Sequence, residues 1–340
     1  MANNTLKVKR HLFFPLMTLT LILVFFISFA LGRYPIPPNT LVRILLSKIF
    51  PIVQTWSSQA ETVVFQIRLP RIIIALLIGS ALSLSGLTYQ GLFQNPMVSP
   101  DVLGTTSGAA FGAALGILLN FNYIGIAISS FLFGLFAVAL VILISSRIPS
   151  KPILALVLSG IMISSIFTSL VSFVKLVADV NNTLPTITYY LMGSLSSVRK
   201  SDVIFIFVIV LLSALPLILI RWQLNIMTQG EEEAQTLGVD TKRIRMIAII
   251  SATLMTSATV AVSGMIGWVG LVIPHFVRMC VGCDYRKTIP ASMLMGSSFL
   301  LFVDTVARNI STMEIPLGIL TSFIGAPFFL YLIVREGKRT

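Results

Sequence analysis

From the N-terminus onward, long apolar runs alternate with short polar connections. The apolar runs fall at roughly 12–31, 70–88, 102–119, 123–146, 152–177, 202–220, 246–263, 267–281, 288–307 and 317–334. Uninterrupted runs of about 18 or more apolar residues read as membrane-spanning helices, because only a helix satisfies its own backbone in lipid. The pattern predicts an all-α, polytopic membrane protein with about ten transmembrane helices, two of them short, forming a single domain over 1–340. The runs are continuous rather than alternating, which excludes a transmembrane barrel. An even number of spans puts both termini on one side.

The connections carry patterns of their own. Within 32–69, the stretch "TLVRILLSKIF" has the spacing of an amphipathic helix lying at the membrane interface. The segment 221–245 is the most polar in the chain. The N-terminus, "KVKRHLFFPLMTLTLILVFFISFA", has the basic start of a signal peptide and Ser28-Phe29-Ala30 as a cleavage-like site. Its apolar part is longer than the typical core of about 7–15 residues, so it is read as an uncleaved first span. "SGLTYQGLFQNP" (85–96) is echoed by "SGMIGWVGLVIP" (263–274), five spans later. An odd offset inverts the second copy, and inverted repeats with Gly- and Pro-interrupted helices are a transporter pattern.

Composition agrees: 56% of the residues are hydrophobic and 11% charged, more apolar surface than a soluble domain of 340 residues could hide. The net charge of +12 would suggest nucleic acid, but the basic residues are scattered between spans. Topology accounts for them better. With the N-terminus inside, fifteen of the 24 lysines and arginines fall on the inner side, as the positive-inside rule requires. The other nine, Arg33, Arg43, Lys48, Arg68, Arg71, Lys175, Arg199, Lys200 and Arg308, fall outside. That is more than insertion needs, and Arg68 and Arg71 stand at the mouth of the second span.

Chemistry-bearing motifs are few. In "NIMTQGEEEAQTLGVDTKRIR" (225–245), Thr228 and Glu231 have capping-box spacing, three glutamates suit the positive end of a helix dipole, and Gly238 suits a C-cap. A short polar helix over about 228–240, exposed between spans six and seven, is predicted. Span five carries Gly160, Ser164, Thr168 and Ser172 at four-residue spacing. Such a stripe either lines an aqueous path or lets helices pack closely. No G-x-x-x-x-G-K-[ST] occurs, so ATP chemistry belongs to another chain. The two cysteines, Cys280 and Cys283, give no disulfide framework, and "CVGC" at a span end is read as small residues rather than a metal site.

Gly230, Glu231, Ala234, Leu237 and Gly238 match G-E-x-x-A-x-x-L-G, and "RLPR" (68–71), "GLFQNP" (91–96), "GLVIPHFVR" (270–278), "DTVAR" (304–308) and "PLGILTSFIGAPFF" (316–329) follow in order. From about residue 60 to the C-terminus the chain resembles the FecCD-type permeases, the membrane subunits of iron-siderophore, haem and cobalamin ABC importers. The resemblance implies a coupling helix at 230–238 that docks on ATP-binding cassette subunits. It also implies that Arg68, Arg71 and Arg308 receive glutamates of an extracytoplasmic substrate-binding protein. Span five would then border the path at the axis between two permease copies or a copy and a paralogue. A multi-pass subunit of the bacterial inner membrane follows, with both termini cytoplasmic, no cofactor, no catalytic residues and no nucleic-acid partner. A ferric siderophore is the expected cargo, with haem, cobalamin or an oxyanion as alternatives.

Other classes fit less well. An ion-coupled transporter places ionisable groups within its spans, and these spans show only Asp304 and Lys175, both near an end. A membrane enzyme would need convergent His, Asp or Glu, and the two histidines, His11 and His275, are far apart.

Overall fold

The computed structural model describes residues 2–32, 34–48, 50–148, 152–311 and 313–337. Four of the basic residues assigned to the two faces, Arg33, Lys151, Lys338 and Arg339, lie outside the described residues. The described chain is helical throughout: α1 (Ala2–Ala30), α2 (Pro38–Leu46), α3 (Ser58–Thr62), α4 (Leu69–Leu92), α5 (Thr105–Leu118), α6 (Tyr123–Ser145), α7 (Pro152–Val177), α8 (Thr183–Met192), α9 (Lys200–Leu219), α10 (Arg221–Met227), α11 (Glu231–Thr236), α12 (Thr241–Ser263), α13 (Val269–Val281), α14 (Tyr285–Asn309) and α15 (Leu317–Gly337). Among the described residues, seven helices are long and apolar enough to cross a membrane, and the shorter apolar helices Thr105–Leu118, Val269–Val281 and Leu317–Tyr331 match the remaining expected segments.

One boundary differs from expectation. The second span does not begin near residue 70: α3 runs through a π-helical turn, Val63–Arg68, directly into α4. Ser57 starts this helix, its Oγ accepting from the Ala60 N–H at 3.2 Å. The wide turn falls just before Pro70, which lacks an N–H and obstructs a regular α-helical ladder. Arg68 and Arg71 therefore sit inside a continuous helix, not at its mouth. The amphipathic α2 is as expected, with Leu41 and Ile44 buried and Val42 and Leu46 exposed.

α4 is the central helix, with most of its length buried against α14, α12, α13 and α9. Small residues make that possible. A Cβ on Gly79 would lie 2.2 Å from the Gly296 carbonyl oxygen of α14, and one on Gly86 would lie 1.7 Å from that of Gly270 in α13. No side chain fits at either contact. α6, α7 and α9 form the periphery, with most of their apolar surface exposed.

The two echoing stretches pack against each other but differ in backbone. Residues 85–92 are helical within α4, whereas 264–268 form a break between α12 and α13. Gly264 has φ +68° and Trp268 φ +69°. Positive φ at a tryptophan is strained by about 1–3 kcal/mol. Packing holds it, with the Trp268 ring edge-on to Phe329 at 6.5 Å.

Candidate functional site

The three arginines converge. Arg71 Nε donates to Asp304 Oδ1 at 3.0 Å, and its Nη1 and Nη2 donate to Glu314 Oε1 and Oε2 at 3.0 and 2.9 Å. Arg308, one turn after Asp304 on α14, brings Nε within 3.0 Å of Asp304 Oδ2, off the hydrogen-bond axis, and Nη2 donates to Ser28 Oγ at 2.7 Å. Arg68 donates to the carbonyls of Phe29 and Tyr34. The cluster thus ties the end of α1 and the turn after α14 to α4. Its arginines are not splayed on a surface: Arg68, Arg71 and Arg308 are 3%, 6% and 7% exposed. Buried charge at this density persists only because each guanidinium meets a carboxylate or carbonyl oxygens. A cavity of about 190 Å³ opens beside them, lined in part by Tyr34, Arg68, Arg71, Arg308 and Glu314.

At the other polar centre, α11 starts at Gly230, whose φ of +140° suits glycine. The Thr228–Glu231 capping box is not formed. Thr228 instead closes α10, its hydroxyl donating to the Asn225 carbonyl at 2.7 Å, because the chain turns out of helix at Gly230. The far end matches expectation: Gly238 has φ +78°, and the Val239 N–H reaches back to the Ala234 carbonyl at 3.0 Å, a Schellman-type closure. Ala234 is fully buried and seats the helix, while Glu232, Glu233 and Leu237 face outward, Leu237 59% exposed. Glu231 turns back, pairing with Arg245 of α12 at 2.7 Å and accepting from Thr241 Oγ1 at 3.2 Å. α11 is thereby fastened to the start of α12.

The stripe on α7 divides in two. Gly160 is buried, and a Cβ there would meet the Val102 carbonyl oxygen at 2.1 Å; Ser164 is half-buried beside Gly104. Thr168 and Ser172 are exposed, and their hydroxyls return to carbonyls one turn back, at 2.8 and 3.0 Å. The first half packs on the 3₁₀ turn Pro100–Leu103. The second half is an open, hydroxyl-bearing face among exposed apolar side chains.

The sequence matches the FecCD transport family over residues 20–335. The chain belongs to the FecCD family. Among the relatives of this FecCD permease are the molybdate import system permease protein MolB of Haemophilus influenzae, 40% identical over 94% of both chains, and an iron chelatin transport system permease of Helicobacter pylori, 38% identical over 82% of this chain and 84% of that one. A solved structure described as an inward-facing conformation of a metal-chelate type ABC transporter superposes with a TM-score of 0.85 at 39% identity, covering 96% of this chain and 99% of that one. The protein is a multi-span permease of the ABC-importer type.

Several residues of the FecCD permease site were not visible as such in the sequence. Glu314 lies in the turn after α14, with no motif to mark it. Gln90, inside the first echo, donates to the Leu271 carbonyl at 3.1 Å and accepts from Arg278, fastening α4 to α13. Asn225 of α10 clasps the start of α14: its Nδ2 donates to Asp284 Oδ1 at 2.9 Å and its Oδ1 accepts from the Tyr285 N–H at 2.8 Å. A lone amide beside a short helix carries no sequence signal for this. Cys280 is half-buried at the end of α13 and Cys283 exposed beyond it.

Proposed function

We propose that this permease carries a metal chelate, a ferric siderophore in the first instance, inward across the bacterial inner membrane. ATP hydrolysis occurs on separate ATP-binding cassette subunits that dock at 230–238 on the cytoplasmic side. The observation that carries this reading is α11, a short helix with a buried seat at Ala234 and an outward face bearing Leu237 and Glu232. An exposed leucine in the most polar segment of the chain is a contact waiting for an apolar groove. Gly230 and Gly238 set the ends of the helix, and the Glu231–Arg245 pair makes it move with α12. Both termini are cytoplasmic.

Arg68, Arg71 and Arg308 receive acidic side chains of an extracytoplasmic substrate-binding protein, arginine being the side chain whose planar fork matches a carboxylate. A second permease copy or a paralogue completes the path, with Thr168 and Ser172 lining it and Gly160 and Ser164 holding α7 on the 3₁₀ turn. The exposed face of α7 bears hydroxyls and apolar groups, which suits a path that leaves cargo choice to the binding protein. Haem and cobalamin fit the same path. An oxyanion is the second reading, favoured by the likeness to a molybdate permease over nearly the whole chain.

Crosslinked purification from the native membrane, with mass spectrometry of partners and bound small molecules, tests the reading. An ATPase with a binding protein loaded with an iron chelate is the expected result. A binding protein loaded with molybdate replaces the chelate by the oxyanion, and recovery of the chain alone overturns the importer assembly.

A further inference from the structure

Arg71 has two unlike faces. On the inner one, Nε and Nη2 meet Asp304 Oδ1 at 3.0 and 2.9 Å, and Asp304 is fully buried. On the outer one, Nη1 and Nη2 are gripped by both oxygens of Glu314. Glu314 lies on no helix: it stands in the turn between α14 and α15, its side chain 28% exposed, next to the open cavity described above. Among the described residues of the cluster, three guanidinium groups face two carboxylates, Asp304 and Glu314. Arg68 donates to backbone carbonyls alone among the contacts described. The pocket therefore carries one positive charge in excess beside an exchangeable carboxylate.

We propose that Glu314 is a resident stand-in for an acidic side chain of the docking protein. On docking, the incoming carboxylate takes the outer face of Arg71 and Glu314 swings into water, while Asp304 keeps the guanidinium oriented. This rests on the docking reading given above and names the residue that competes with the partner. The exchange is inexpensive, because one two-pronged carboxylate contact replaces another and no buried charge is left unpaired at the end. The excess positive charge favours an acidic newcomer over a neutral one. Glu314 is also suited to leave: it is the least buried carboxylate of the cluster and lies outside the helices. That turn leads straight into α15, whose Leu317 N–H is held by the Gly193 carbonyl at 2.8 Å. Release of Glu314 thus acts on a segment that enters the membrane.

The test uses full-length permease with its ATPase in nanodiscs, and the binding protein recovered with it by crosslinking. Glu314→Gln and Glu314→Ala are expected to bind that protein roughly three- to five-fold more tightly, the size of one partly exposed ion pair. Unchanged or weaker binding overturns the proposal. A second measurement needs no change at Glu314. With Cys280→Ser and Cys283→Ser in place so that only the new thiol is labelled, a spin label at Met313→Cys, an exposed neighbour, is expected to gain mobility when the binding protein is added, and unchanged mobility overturns the proposal as well. Failure here is distinct from failure of docking. If Arg71→Glu and Arg308→Glu lose binding while Glu314→Gln does not gain it, only the stand-in role falls.

Discussion

Asp304 concentrates the chemistry of the arginine cluster in one side chain. It is fully buried and meets two arginines, one on its own helix and one on α4. Half of this was legible in the sequence, because Arg308 follows Asp304 by four positions and a helix brings such pairs together. The other half was not: Arg71 lies 233 positions away, and Glu314 sits in a turn without a motif. Nor did composition reveal that the arginines are buried, since charge in an outer connection reads as exposed until the packing of α1 over α4 is known. Removing one member of a buried ion group leaves its partners uncompensated, at about 3–5 kcal/mol. Asp304→Asn should therefore lower the thermal unfolding midpoint of the detergent-solubilised permease sharply, whereas Lys48→Gln, which removes an exposed pair with Glu61, should leave it within error.

At the scale of elements, the exposed helix between spans six and seven was readable from the three glutamates, which fall in its first turn, and from Gly238, which closes it. Its N-terminal cap was misread because Thr228 closes the preceding α10, and α8 was missed because its ten residues, though largely apolar, are too few for a span. Gly238→Asp puts a side chain on a backbone at φ +78°, where space is free but the conformation is strained. The expected outcome is membrane insertion at normal levels with ATPase activity no longer tied to uptake; normal uptake would remove 230–238 from the coupling account. Leu237→Ala should weaken ATPase association without affecting the fold, as read by co-purification yield. The N-cap of α14, Asp284, adds a pH dependence. The Arg286 N–H hydrogen bond above all, opposed by burial and helped by the Asn225 hydrogen bond and the charges of Arg286 and Lys287, holds the Asp284 carboxyl below its usual range. Its contribution is present above the unfolded carboxylate pKa of about 3.9 and fades as pH falls through the lower folded value. Asp284→Asn should abolish that part of the acid sensitivity in thermal unfolding followed against pH.

Over the whole molecule, the order of the apolar helices, seven of span length and three shorter, came through because hydropathy measures the very energy that drives insertion. Which spans form the middle did not. α4, α12 and α14 are the buried core and α6, α7 and α9 the rim, yet by composition the rim helices are the more hydrophobic, since lipid rewards apolar surface and protein contacts reward small residues. The glycines and serines of α4 were the available signal. The open face of α7 gives a prediction at this scale: Thr168→Cys in two copies should crosslink across the axis under oxidation in native membranes, and absence of the crosslink would move α7 away from that axis.

The glycine contacts of α4 with α13 and α14 have a mechanical consequence. Where two helices touch backbone to backbone, there is no side chain between them to compress, bend or change rotamer. At Gly79–Gly296 and Gly86–Gly270 the spacing of the helices is therefore set by backbone contact alone. α4, α13 and α14 are thereby held at close spacing, and an importer's change of state is expected to fall on helices outside that seam, such as α7, which packs mainly on α5, α6 and the 3₁₀ turn.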